Sequence, residues 1–177
     1  LTSKDAKNGT QCSKCHIDLP RGLKNLGRLT TTFRHMQTLS LSGQPIKDLS
    51  AIKKLNNLKT LDLSDTPTQN FAPLKHLTKL QELYLCNTHI DNLSPLKGLV
   101  SLLLLDLSNT NVTNISTISF LKNLKSLQIE DNDINLTNQL SILGNLDLIW
   151  LSYTLPGFSF CQIVYEGSKE RPIKIND

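Results

Sequence analysis

The densest chemistry in the sequence is the string Cys12-Ser13-Lys14-Cys15-His16. Two thiols and an imidazole at this spacing match the C-x-x-C-H form that attaches c-type haem, and they supply three of the four ligands that a zinc ion takes. Haem would need a pocket built from a domain's worth of apolar residues and usually a second axial ligand. The flank around the string is polar, and Met36 belongs to an apolar column described below. Zinc would need a fourth ligand, for which His35 is the candidate. The expectation is a short N-terminal cap, with the two thiols free or joined locally, rather than a haem or metal centre.

Elsewhere the reactive residues are dispersed. His16, His35, His76 and His89 are scattered, and no Ser/His/Asp, Cys/His or paired-carboxylate arrangement converges on one place. Cys86 and His89 share a strand and its following turn without a third group, and Gly-rich phosphate loops are absent. Five N-x-S/T sequons, at Asn8, Asn92, Asn111, Asn114 and Asn135, are what an Asn- and Ser/Thr-rich chain produces by composition. The expectation is a protein that is not an enzyme and carries no cofactor and no metal.

What has to position these residues is a repeated packing unit. The chain has 177 residues, enough for one domain with a sizeable core and too few for two ordinary ones. Leucine fills 35 of those positions against one Trp, three Tyr and five Phe, which is unlike an average globular composition. The pair L-x-L recurs as Leu39/Leu41, Leu61/Leu63, Leu83/Leu85, Leu105/Leu107, Leu127/Ile129 and Ile149/Leu151, a step of 22 residues with no insertion. Three residues before each pair stand Met36, Leu58, Leu80, Leu102, Leu124 and Leu146. On the far side of each unit come Ile52, Leu74, Leu96, Ile118 and Leu140, then Leu55, Leu77, Leu99, Leu121 and Leu143. Strand alternation puts the paired leucines inside and the residue between them outside. The later spacing of three suits a short 3₁₀ or α turn. No unit can bury its leucines alone, so the units must stack with their strands parallel, about 4.8 Å apart.

At these columns the sequence resembles the leucine-rich repeat family, most clearly over Leu80 to Ser101, LQELYLCNTHIDNLSPLKGLVS. The 22-residue unit and its LSPLKGL half-turn are similar to the class found in bacterial internalins and in the leucine-rich regulatory subunit of protein phosphatase 1. The resemblance covers about residues 33 to 154. It implies an α/β leucine-rich repeat fold, a right-handed solenoid with a parallel concave sheet and short 3₁₀ or α segments on the convex side, acting as a non-enzymatic protein-protein interaction module. One column departs from the family. Its turn Asn is Thr at Thr66, Thr88, Thr110 and Thr154, Gln at Gln44, and Asn only at Asn132. A Thr hydroxyl caps the same backbone groups with shorter reach, so the turn is expected to survive slightly altered.

The expected organisation is an N-terminal cap over 1–35, repeats over 36–154 and a C-terminal cap over 155–177. The spacing of Leu23, Leu26 and Leu29 suits a helix after Pro20 in the first cap. In the last, Phe158 to Tyr165 and Arg171 to Ile175 read as a β-hairpin or terminal strand pair. No apolar run approaches a membrane span of about 20 residues. The first residue is Leu1, which predicts a processed or trimmed chain.

On the concave face the outward columns place Asp62, Glu82, Tyr84, Cys86, Leu104, Asp106, Gln128, Glu130 and Trp150, and these are the expected partner-binding residues. Tyr84, Leu104, Leu148 and Trp150 are apolar groups on a face whose packing does not need them, the composition of an interface anchor. Trp150 and Leu148 have a second use, as a surface over which the C-terminal flank folds. The net charge of +4 divides unevenly, for residues 1–36 carry seven basic against two acidic groups and residues 37–154 carry nine against ten. The acids gather on or beside the sheet face. Lys53, Lys54, Lys75, Lys79, Lys97 and Lys122 fall in the helical half, where lysines keep an outer face soluble. An acidic concave face favours a protein partner with a basic surface and opposes nucleic acid.

The expected protein is a monomer. Cys86 and Cys161 should lie about three strand spacings apart, roughly 14 Å, beyond disulfide reach. Two lone thiols favour a cytoplasmic setting, or secretion by a bacterium into a host cytosol as an effector, over an extracellular one. The alternatives are the substrate-targeting domain of a larger enzyme such as a ubiquitin ligase, and an extracellular internalin-like recognition protein.

Overall fold

The computed structural model describes residues 26, 27, 30 and 33–134, and the backbone of two later strands over 148–153 and 161–166. The Cys12-to-His16 string and most of both expected caps lie outside the described residues. Among the described residues the chain forms one seven-stranded sheet in sequence order. The strands are β1 (Thr38–Ser40), β2 (Thr60–Asp62), β3 (Glu82–Tyr84), β4 (Leu104–Asp106), β5 (Ser126–Gln128), β6 (Leu148–Tyr153) and β7 (Cys161–Glu166). The first six run parallel. Their register is the sequence period made visible, with Leu39, Leu61, Leu83, Leu105, Leu127 and Ile149 side by side.

Between strands the chain passes through a short 3₁₀ turn: Ser50–Lys54, Ala72–His76, Ser94–Leu96 and Ser116–Phe120. Each begins with an i to i−3 bond, such as Leu74 N–H to the Phe71 carbonyl at 3.0 Å and Leu96 N–H to that of Leu93 at 2.8 Å. The residue two before each first position is Asp48, Asn70, Asn92 or Asn114, and its Oδ1 accepts the N–H of Ser50, Ala72, Ser94 or Ser116 at 2.7 to 3.0 Å. These Asx turns satisfy a donor that a helix start leaves open. Asn92 and Asn114, both in sequons, therefore have a structural use for the same side chain.

The leucine columns form one continuous core, and nearly every member from Leu55 to Leu107 is wholly shielded from solvent. Leu26 of the expected N-terminal cap joins it, followed by a helical bond from Thr30 N–H to the Leu26 carbonyl at 3.0 Å. Thr68 stands where other units have Ile or Val, and its hydroxyl is satisfied by the Ile46 carbonyl at 2.7 Å.

The Thr column keeps the turn by a different bond. The hydroxyls of Thr66, Thr88 and Thr110 donate to the carbonyls of Leu63, Leu85 and Leu107, at 2.7, 2.7 and 2.8 Å, within their own unit. Asn132 is long enough to reach the preceding unit. Its amide nitrogen donates to the Leu107 carbonyl at 2.8 Å and its Oδ1 accepts the Thr110 backbone N–H at 2.9 Å. One residue earlier in each turn, Gly43, Asp65, Asn87, Asn109 and Asp131 all have positive φ, between 51° and 65°. These residue types tolerate that left-handed region. Three of them form a side-chain ladder, with Asn109 Nδ2 on Asn87 Oδ1 at 2.6 Å and Asn87 Nδ2 on Asp65 Oδ1 at 2.9 Å.

The array ends by a change of direction. Residues 154–160 alone join β6 to β7, too few to travel round the core, and β7 returns antiparallel with Trp150 opposite Val164 and Tyr153 opposite Cys161. The strand expected within Phe158 to Tyr165 is therefore paired with the sixth repeat strand. Arg171 to Ile175, its expected partner, lies outside the described residues. β7 puts Cys161 four strands from β3, about 19 Å by strand spacing, further than the three spacings expected.

Two substitutions test the turn bonds by urea unfolding. Thr88→Val keeps the shape and leaves the Leu85 carbonyl without its hydroxyl donor, at an expected cost of about 1–2 kcal/mol. Asn132→Thr should cost about 1–3 kcal/mol, because it removes the bonds between units and leaves Thr110 N–H unmatched.

Candidate functional site

Side-chain alternation sets the concave face. In every three-residue strand the middle residue is buried and its two neighbours are half-buried on the outer surface. Register then aligns them in rows. One row runs Ser40, Asp62, Tyr84, Asp106, Gln128 and Trp150, and the next runs Thr38, Thr60, Glu82, Leu104, Ser126 and Leu148. Cys86 and Glu130 sit just past the strands in a third row. The expected residues are thus brought onto one face in adjacent strands. Trp150 is placed there by its backbone, opposite Gln128, and its side chain lies outside the described residues.

The carboxylates are held by neighbours. Asp62 accepts the Ser64 N–H at 3.0 Å through Oδ1 and the Ser40 hydroxyl at 3.0 Å through Oδ2. Asp106 accepts the Ser108 N–H at 2.9 Å, and Glu82 accepts the Thr60 hydroxyl at 3.2 Å. Tyr84 stands between Asp62 and Asp106 in its row, beside a shallow concavity that Thr38, Ser40, Thr60, Asp62 and Ser64 also line.

The field of this face is negative. Partial burial raises the Tyr84 hydroxyl above its ordinary value, and the charges of Glu82, Asp106 and Asp62 add to the effect. Burial likewise raises the Cys86 thiol, followed by the charges of Asp106, Asp65, Asp62 and Glu130. Glu130 is raised by burial and then by Asp131 and Asp106. Cys86 is a free, half-buried cysteine. Its thiolate is disfavoured, so the thiol is a weaker nucleophile than an ordinary exposed one. Tyr84 and Leu104 are half-buried, more sheltered than free-standing anchors on a solvated face would be.

Among the described residues no group of three or more His, Cys, Asp or Glu side chains could hold a metal ion, and no helix is long and apolar enough to cross a membrane. Sequence reasoning missed three exposed apolar side chains away from this face, Val100, Leu103 and Phe120, at 51%, 37% and 45% exposure. The signal was present in the columns. The matching positions of earlier units hold Arg34, Asn56 and Thr78, then Gln37, Lys59 and Gln81, then Lys54, His76 and Gly98.

Comparison with known proteins agrees with this geometry. Residues 34–76 match the family described as leucine-rich repeats in two copies. No curated protein matches the chain. Among solved structures, an internalin (inlF) of Listeria monocytogenes superposes with a TM-score of 0.67 at 27% identity, over 73% of this chain and 38% of that one. Internalin C2 of the same organism gives 0.65 at 32% identity, over 73% and 57%. A leucine-rich repeat protein of Leptospira interrogans gives 0.65 at 28%, over 75% and 35%. The chain thus spans between about a third and three fifths of the length of these structures. Arrays of this kind are in general scaffolds for protein-protein interaction, without catalytic chemistry of their own. With its 22-residue register, parallel ladder and bacterial structural neighbours, the chain is a leucine-rich repeat protein that resembles the internalins.

Proposed function

We propose that the concave face binds a protein partner through basic side chains, with Tyr84 and Leu104 as its apolar centre and Asp62, Glu82, Asp106 and Glu130 as the surrounding charges. The observation that carries this is the convergence of three carboxylates on Tyr84. No Lys or Arg stands in the three outward rows from Thr38 to Glu130 to neutralise them. An aromatic ring among uncompensated acids favours a guanidinium or ammonium group, by charge and by cation-π contact. Gln128 and Trp150 extend the same row toward the C-terminal end.

The setting of the interaction is proposed as a host cytosol reached by a bacterial effector. A raised thiol at Cys86 survives oxidising conditions better than an ordinary one, so this residue does not separate that setting from an extracellular, internalin-like role. Targeting of a substrate for an attached enzyme would use the same face. Full-length partners of the chain distinguish these settings, and the face itself is tested without them.

Surface plasmon resonance against Lys/Arg-rich, neutral and Asp/Glu-rich peptides is the direct measurement. The basic set should bind preferentially, with affinity falling as salt rises. Asp62→Asn with Asp106→Asn keeps an oxygen for the Ser64 and Ser108 N–H groups and should weaken basic-peptide binding by about tenfold while leaving the melting temperature nearly unchanged. No preference for basic peptides, or no effect of this pair, would overturn the proposal. Tyr84→Ser with Leu104→Ser should weaken the same binding, and a large loss of stability would assign these two side chains to the core instead.

Acid titration supplies a further check. Glu130 is raised above the ordinary carboxylate value, so it takes up its proton at a higher pH than an ordinary glutamate does. Binding of basic peptides should decline as pH drops from neutral through the carboxylate range, and Glu130→Gln should remove the earliest part of that decline.

A further inference from the structure

The part of each unit that runs from the 3₁₀ turn to the start of the next strand has a charge pattern opposite to that of the concave face. Residues 49–59, 71–81, 93–103 and 115–125 contain eight lysines and no acid, and all eight lysines are exposed. These segments are the 3₁₀ turns and the stretches that lead from them into the next strand. Val100, Leu103 and Phe120, the large apolar side chains exposed among the described residues, belong to the same segments.

Stacking at a 22-residue offset makes these groups neighbours. Lys122 occupies the position of Val100 in the following unit, and Lys125 that of Leu103, whose carbonyl accepts the Lys125 N–H at 2.9 Å. Asn123 Nδ2 donates to the Val100 carbonyl at 2.8 Å across the same gap. The Lys97 ammonium lies 4.1 Å from the centre of the Phe120 ring. Apolar side chains and cations are thus interleaved over two adjoining units.

We propose that this face docks on an anionic phospholipid bilayer, with lysines on the headgroup phosphates and Phe120, Val100 and Leu103 at the acyl boundary. Charge complementarity selects an anionic surface, since eight exposed lysines outnumber the acids beside them, of which Asp48 near Lys53 is one. The apolar groups select lipid over nucleic acid. A phosphate backbone takes lysines alone, and a single strand stacks bases on an aromatic ring whose face Lys97 already covers. Peripheral binding of this kind combines charge with a few inserted apolar side chains and requires no spanning segment. Repulsion between the membrane and the concave acids would orient that face toward water.

Flotation of the full chain with vesicles of phosphatidylcholine, with and without phosphatidylglycerol, tests the proposal. Binding should require phosphatidylglycerol and weaken with salt. Lys122→Glu with Lys125→Glu should lower it by about tenfold or more, and Lys53→Glu with Lys75→Glu serves as a second pair if the first does not fold by circular dichroism. Phe120→Ser should lower binding at high salt as well. In Phe120→Trp the tryptophan emission, after subtraction of the parent protein, should shift to the blue on phosphatidylglycerol vesicles only. Absence of vesicle binding would overturn the inference. So would binding that both lysine pairs leave intact, which would assign it to the basic residues 1–36, or a preference for duplex DNA over vesicles that the same variants abolish.

Discussion

Everything in this molecule depends on a ladder that closes only between units. A single 22-residue unit has three strand residues, a 3₁₀ turn and a set of leucines that it cannot shield by itself. Burial comes from the unit before and the unit after, so each strand, turn and column must repeat at the same offset for any of them to be stable. The backbone follows this rule bond by bond. Lys59, Leu103 and Lys125 N–H groups each reach a carbonyl one unit earlier, and Leu41, Leu63, Leu85 and Leu107 N–H groups each reach one unit later. An insertion of one residue would move an entire strand out of its row.

That constraint explains what could be read in the sequence. The apolar columns are set by burial, which leaves few alternatives to Leu, Ile or Val, and the period therefore gave the strand register to the residue. Concave rows followed from alternation alone. The positive-φ column of Gly43, Asp65, Asn87, Asn109 and Asp131 was equally regular, but it is defined by backbone conformation rather than hydropathy and is overlooked when columns are sought by apolar content. Asn132 shows the limit from the other side. A reach of one extra bond between units separates it from Thr110 in the same column, and residue type alone gave the difference in length without naming the acceptor. The candidate face was legible in its membership, whereas the half-burial of Tyr84 and Leu104 depends on side-chain packing that no column records. The return of β7 against β6 needed the short link at 154–160 to be weighed against the path round the core.

Regular stacking also sorts charge without any long-range design. A residue's place in the unit decides its face, so a bias repeated at a few columns becomes a bias of the whole surface. Acids at the strand columns and lysines in and after the 3₁₀ turns therefore give the two halves of each unit opposite signs. The same multiplication makes single exceptions conspicuous. Phe120 stands where earlier units have Lys54, His76 and Gly98, and Tyr84 where its neighbours have Asp62 and Asp106.

The reversed strand at the end has a meaning of its own. A parallel stack is in principle an open polymer, each unit offering the next the same edge and asking only for another 22 residues of chain. Beyond β6 the link through 154–160 withholds that length, and β7 occupies the edge with opposite polarity. The edge that a further parallel unit would need is thereby occupied by backbone already paired to β6, so the size of the inner face is set by the units that precede it.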